Sequence, residues 1–222
     1  MNVRRQVDLT EWASPVEEQW QLGSCTGQAI VGAYELLLKK YYPEKFVDLS
    51  RLFVYYNARE LEGFVKEDVG AYIRSGVKAV SKYGICAEYL WPYDIEKFAV
   101  KPTVAAYADA STRVINGYYK IYNLDSLIKT LALDHPVVIG IQLYDGFGDV
   151  NKTNPILKMP KDSEEPTGGH AMCVVGYDLD KKMLLCRNSF GTDWGNQGYC
   201  WIPFEYADKN FTDMWSFNIS VK

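Results

Sequence analysis

The spacing of apolar residues changes character halfway along this chain, and that change limits the folds open to it. From residue 25 to about 42, apolar residues fall at Ala29, Ile30, Ala33, Tyr34, Leu37 and Tyr41, one face of a helix. Ser50 is placed to cap a second helix reaching about residue 61, which Gly63 closes. A third spans 71–83 and stops at Gly84, and Trp91-Pro92-Tyr93-Asp94 then breaks the pattern. Residues 97–103 are the expected crossing to a second subdomain. Beyond them, a short helix over 124–133 follows the caps Asn123 and Asp125, and strands are expected at 136–143, 171–177, 183–187, 198–202 and 215–221. Helices first and antiparallel strands later predict an α+β protein in two lobes, with the groove between them as the default site.

Composition removes several classes of function. A net charge of −4 with no basic cluster leaves no electrostatic footprint for nucleic acid or for an anionic membrane. No apolar run approaches the roughly 20 residues of a membrane helix. The start of the chain carries two arginines with no hydrophobic segment behind them, so no secretory signal is read there. Five unevenly spaced cysteines do not make a disulfide framework, and reduced thiols suit a cytoplasmic setting. Cys186 and Cys200 are expected to face each other across a hairpin as core residues and not as a bridge. With two histidines and no C-x-x-C pair, no metal site and no cofactor are implied.

Candidate chemistry centres on Cys25, where the small-residue loop Leu22-Gly23-Ser24 enters the first helix. A helix N-terminus offers unpaired N–H groups and partial positive charge, both of which favour a thiolate. A cysteine nucleophile also needs a base, held in one orientation by a third group. His135 lies in a connector. His170 follows Gly168 and Gly169 where a long loop enters a strand, so it can project from a rigid strand end into a cleft. Asn188 lies in a turn-rich connection with Trp194; it can cap its own backbone or accept the second N–H of His170.

Taken in order, Gln19, Cys25, Gly169-His170-Ala171 and Asn188-Ser189-Phe190-Gly191-x-x-Trp194-Gly195-x-x-Gly198-Tyr199 resemble the papain-like cysteine peptidases. His170 stands 145 residues after Cys25, within the roughly 130–150 of that family, and Asn188 stands 163 after it. The segments Asp68-Val69-Gly70-Ala71-Tyr72-Ile73-Arg74, Tyr83-Gly84-Ile85-Cys86 and Trp91-Pro92-Tyr93-Asp94 are similar to its prokaryotic-type branch, so the likeness runs from about residue 8 to 221. It implies one catalytic domain over 1–222, with a helical lobe at about 20–103 and a β-rich sheet or barrel lobe at about 104–215. It implies a cysteine peptidase with Cys25 as nucleophile in an ion pair with His170, Asn188 as orienting group, and Gln19 donating to the oxyanion. Trp194 would cover the bond between Asn188 and His170, and Gly70 would let substrate backbone pair along the groove. Ala71, Tyr72, Gly140, Gly168, Gly169 and Ala171 map near the specificity pocket; with no acidic residue among them, an apolar side chain is the expected preference. The implied partners are a peptide or protein substrate and a proteinaceous inhibitor. Two rival readings share this machinery: acyl transfer to an amine, and silent peptide binding.

The departures from the pattern also carry information. Leu22 stands where the familiar version has a disulfide-forming cysteine, Thr26 stands where an aromatic is common, and Phe190 replaces a tryptophan. Only 24 residues precede Cys25, too few for a helical inhibitory pro-segment, so either that segment lies outside this chain or restraint comes from elsewhere, with the polar loop 144–167 as one candidate lid.

Overall fold

The computed structural model describes residues 3–222. Residues 1 and 2, part of the N-terminal stretch read above as lacking a signal, lie outside the described residues. Strand β1 (Gln6–Asp8) is followed by helix α1 (Cys25–Tyr41), α2 (Arg51–Glu62) and α3 (Ile73–Tyr83). Then come α4 (Val104–Ala110), β2 (Arg113–Lys120), α5 (Leu124–Ala132), β3 (Val137–Leu143), β4 (Gly168–Asp178) and β5 (Met183–Arg187). The chain ends with β6 (Tyr199–Pro203), α6 (Phe204–Asn210) and β7 (Phe211–Val221).

Helix α1 is not the one-faced helix its periodicity suggests. Every residue from Thr26 to Leu38 is buried, because α2 and α3 cover one side and β4 the other. Its Ser24 N-cap makes no side-chain capping bond to the helix backbone; the hydroxyl meets Tyr93 Oη at 2.6 Å instead. By contrast α2 is capped as its sequence predicts. Phe53 N–H donates to Ser50 Oγ, and Gly63 closes the helix in the left-handed region at φ 84°, where a Cβ would be strained.

Inside the helices sits a charged cluster. Glu35 on α1 and Arg51 on α2 are fully buried, and Arg51 Nη2 lies 3.0 Å from Glu35 and 3.1 Å from Glu17. Leu49 N–H and the Ser14 hydroxyl also donate to Glu35, so the carboxylate is saturated and ties the N-terminal segment to both helices.

The strands form one antiparallel sheet in the order β2-β7-β3-β4-β5-β6, with β1 added alongside β4. Cys186 and Cys200 are register partners on β5 and β6, both buried and both free thiols. One large core joins α1 and α3 to the sheet. A smaller one gathers Leu22, Leu52, Phe53, Tyr55, Cys86, Trp91, Ala106 and Ala110. That second core takes in α4, so residues 104–110 pack with the helices, and the chain crosses to the sheet near residue 111, later than the expected 97–103. No helix among the described residues is long and apolar enough to cross a membrane.

Candidate active site

Helix α1 begins at Cys25 and β4 carries His170, opposite Ile141 of β3. The two residues meet across a groove of about 590 Å³ whose walls also include Gly70, Ala71, Tyr72, Gly140, Gly169 and Ala171. Six of the eight expected binding positions therefore line one surface with the thiol and the imidazole. Gly168 and Trp194 do not. Gly168 begins β4 beside Leu143, and Trp194 packs behind the histidine.

The imidazole has a defined proton arrangement. His170 Nε2 lies 2.7 Å from Asn188 Oδ1, and Ser189 N–H donates to the same oxygen at 2.8 Å. A backbone N–H only donates, so that atom of Asn188 is the oxygen and His170 Nε2 carries the proton. Nδ1 is then the nitrogen left for the sulfur. The rings directly on the imidazole are Phe190, at 5.0 Å between centroids, and Phe147, at 5.8 Å; Trp194 backs both. Two phenylalanines, and not Trp194, make the layer of rings closest to the imidazole.

Phe147 comes from the loop 144–167, and its position changes the meaning of that loop. Phe147, Val150 and Leu157 are buried, and the loop pairs with β6 through Leu157 N–H to Trp201 O and Trp201 N–H to Pro155 O. None of the groove-lining residues belongs to it. The expected lid is a buttress behind His170. Its polar composition concealed this, because a single phenylalanine between two glycines leaves no periodic signal.

Gln19 is buried and held at both ends of its amide. Ser189 Oγ donates to Oε1 at 2.7 Å, and Nε2 donates to Leu22 O at 3.0 Å. One N–H of Nε2 remains beyond these bonds. The neighbouring backbone is fixed by Asp68, whose carboxylate accepts from Gly23 N–H and from Tyr55 Oη, while Gly70 N–H donates to Tyr55 Oη at 3.2 Å.

Burial pushes the Cys25 thiol up, against the backbone N–H groups of Ala171, Thr26 and Cys25 and the Thr26 hydroxyl. Burial also pushes the His170 imidazolium down, against the Asn188 bond. Each group alone is thus favoured neutral, whereas the sequence reading has the helix terminus and ion pair lowering the thiol. A proton moved from sulfur to Nδ1 would create both charges together, and their mutual attraction would work against the desolvation that opposes either one singly.

The groove is not free of acids. Glu62 and Asp213 line it beside Phe64, Val69, Thr212 and Tyr72. Glu62 accepts from Tyr72 N–H, and Asp213 accepts from Trp215 Nε1–H and lies 3.5 Å from Lys120 Nζ. Neither Glu62 nor Asp213 belongs to a quoted motif, and only folding brings the two to one groove.

A family model described as papain family cysteine protease matches residues 3–216. The chain is 39% identical over 227 residues to the uncharacterised peptidase C1-like protein L477 of Acanthamoeba polyphaga mimivirus, covering 96% of this chain and 72% of that protein. It is 31% identical over 203 residues to cathepsin K of Gallus gallus, covering 85% of this chain and 54% of that relative, about half its length. Xylellain, a cysteine protease from Xylella fastidiosa, shares the fold at a TM-score of 0.89 and 32% identity, over 100% of this chain and 88% of that one. These matches span the same helices and strands that bring Cys25 and His170 to one groove, and the chain belongs to the papain family of cysteine peptidases.

Proposed function

We propose that the protein is an endopeptidase that cleaves peptide bonds through a thioester acyl-enzyme. The observation that carries this reading is the bond from His170 to Asn188 Oδ1, which leaves Nδ1 as the base in the groove that Cys25 also lines. His170 Nδ1 takes the thiol proton as Cys25 Sγ attacks the scissile carbonyl carbon. The developing oxyanion accepts from the remaining Gln19 Nε2–H and from the Cys25 backbone N–H. His170 then returns its proton to the departing amine nitrogen, leaving the acyl group on sulfur. Water, deprotonated by the same nitrogen, attacks the thioester and releases the acid and the free thiol.

The expected preference for an apolar side chain is widened by the groove itself. Apolar walls at Phe64, Val69 and Tyr72 stand with the carboxylates of Glu62 and Asp213, a pairing that suits an aliphatic stem ending in a cation as well as an apolar side chain. The partners follow as peptide or protein substrates and proteinaceous inhibitors that enter the same groove.

A peptide epoxide followed by mass mapping tests the reading, with Cys25→Ala as control and a peptide library as substrate. Adduct on Cys25 together with hydrolysis supports it. Adduct with transfer to added amines and no hydrolysis replaces it with acyl transfer. Absence of adduct at neutral pH leaves a silent peptide-binding groove.

A further inference from the structure

Beside the first turn of α1 lies a void of about 10 Å³, walled by Glu17, Gln28, Ala171, Arg187, Asn188 and Ser189 among others. That is the space one water molecule needs. Two of its wall residues carry buried atoms that have no partner among the described residues, Gln28 Oε1 and Asn188 Nδ2. One only accepts and the other only donates.

Both assignments follow from proton counting. Ser189 N–H donates to Asn188 Oδ1, so Nδ2 is the atom left over. For Gln28 the count begins at Gln19 O, which can only accept; Tyr93 Oη–H donates to it at 2.8 Å. Tyr93 has one proton, so across the 2.6 Å contact Ser24 Oγ–H is the donor to Tyr93 Oη. Ser24 Oγ then accepts from Gln28 Nε2 at 3.4 Å, which leaves Oε1 as the free end of that amide. One chain of donors thus starts at Gln28 and ends on Gln19 O, leaving Gln28 Oε1 unused, and a second starts at His170 and ends on Asn188 Oδ1, leaving Nδ2 unused. Both unused atoms belong to residues that line the void.

We infer that one ordered water occupies this void, accepting from Asn188 Nδ2–H and donating to Gln28 Oε1, and that Gln28 is through it a positioning residue for the Asn188–His170 pair. The water joins the two chains into one circuit behind Cys25. Gln28 on α1 then holds the Asn188 amide with Oδ1 toward the imidazole, and Asn188 in turn favours the imidazolium. Asn188 lacks any other protein partner for Nδ2 among the described residues, so without the water its amide is restrained on the oxygen side alone.

The inference rests on the proposed roles of His170 and Asn188, and its first test does not depend on activity. A high-resolution crystal structure of the wild-type protein should show a water about 2.6–3.2 Å from both Gln28 Oε1 and Asn188 Nδ2. An empty void, or a water touching only one of them, overturns the site. The second test is Gln28→Met, which keeps the side-chain length and removes both amide atoms. Its kcat/KM should fall about tenfold, the size of one lost buried hydrogen bond. The loss should sit in kcat, with KM within about twofold, and the alkaline limb of the pH profile should move to lower pH as the imidazolium loses support. Unchanged kcat with an unchanged alkaline limb overturns the positioning role. Should Gln28→Met fail to fold, the wild-type water still decides the matter. Failure of Cys25 labelling alongside a water in place would count against the peptidase reading and not against the site.

Discussion

The two walls of the groove are held by different forces. On the helix side, the segment from Gln19 to Cys25 is set by directional polar bonds, from Ser189 and Tyr93 and to Leu22 O and Asp68. On the sheet side, His170 makes one polar bond, to Asn188, and is otherwise fixed by the packed rings of Phe147 and Phe190. The difference matches what each wall does in the proposed reaction. Aiming an N–H at an oxyanion requires direction, which hydrogen bonds supply. Keeping an imidazole dry requires apolar surface, which also pushes its pKa down. One wall depends on geometry and the other on exclusion of water.

Four measurements can break or sharpen that contrast. The largest effect is expected at Phe147→Ala, which empties the sheet side of a buried ring and should cost about 3–5 kcal/mol of stability in denaturant unfolding. A loss below about 1 kcal/mol would mean that the ring is not a buttress. On the helix side, Gln19→Ala should leave the fold intact and lower kcat about 10²–10³-fold, with alkylation of Cys25 retained. Equal losses of kcat and of alkylation rate would show that Gln19 positions the thiol and not the oxyanion. Asp68→Ala removes an exposed acceptor, so its effect should be smaller, a rise in KM of about three- to tenfold as the Gly23 and Gly70 segments loosen.

The last measurement concerns pH. In Cys25→Ala, burial holds the folded His170 pKa below that of the unfolded chain, which is about 6.5. The unfolded state then binds more protons between the two values, so stability is fully present above about pH 6.5 and falls as the pH drops beneath it. Tm followed across pH 4 to 8 should show that fall, and adding His170→Gln should remove it. An identical slope in both variants would place the acid sensitivity in another group; Glu35 is not that group, because burial raises its pKa and such a carboxyl loses stability as the pH rises.

Local signals were enough for several elements and for naming the candidate residues that the fold brings together. Ser50 and Gly63 mark both ends of α2 because a cap acts within one turn. Cys25, His170, Asn188 and Gln19 were legible because each sits in a short motif whose neighbours shape the backbone around it. Strand β2 was not legible. Its Asn116-Gly117 step breaks the alternation, and the structure shows a bulge there, with the register shifting between Ile115 and Gly117. Helices α4 and α6 are seven residues each, too short for a period to register, and are held by the cores they complete.

By itself the sequence determined the fold class, most of the longer helices and strands and the family, since these rest on patterns within a few positions. Only the tertiary structure decided what surrounds the reacting atoms. It made the loop 144–167 a support for His170, brought Glu62 and Asp213 into the groove, and joined Gln28 to the void beside Asn188. The physical reason is distance along the chain. Burial and unmatched donors arise where segments more than a hundred residues apart close on one another, and no local pattern records that closure.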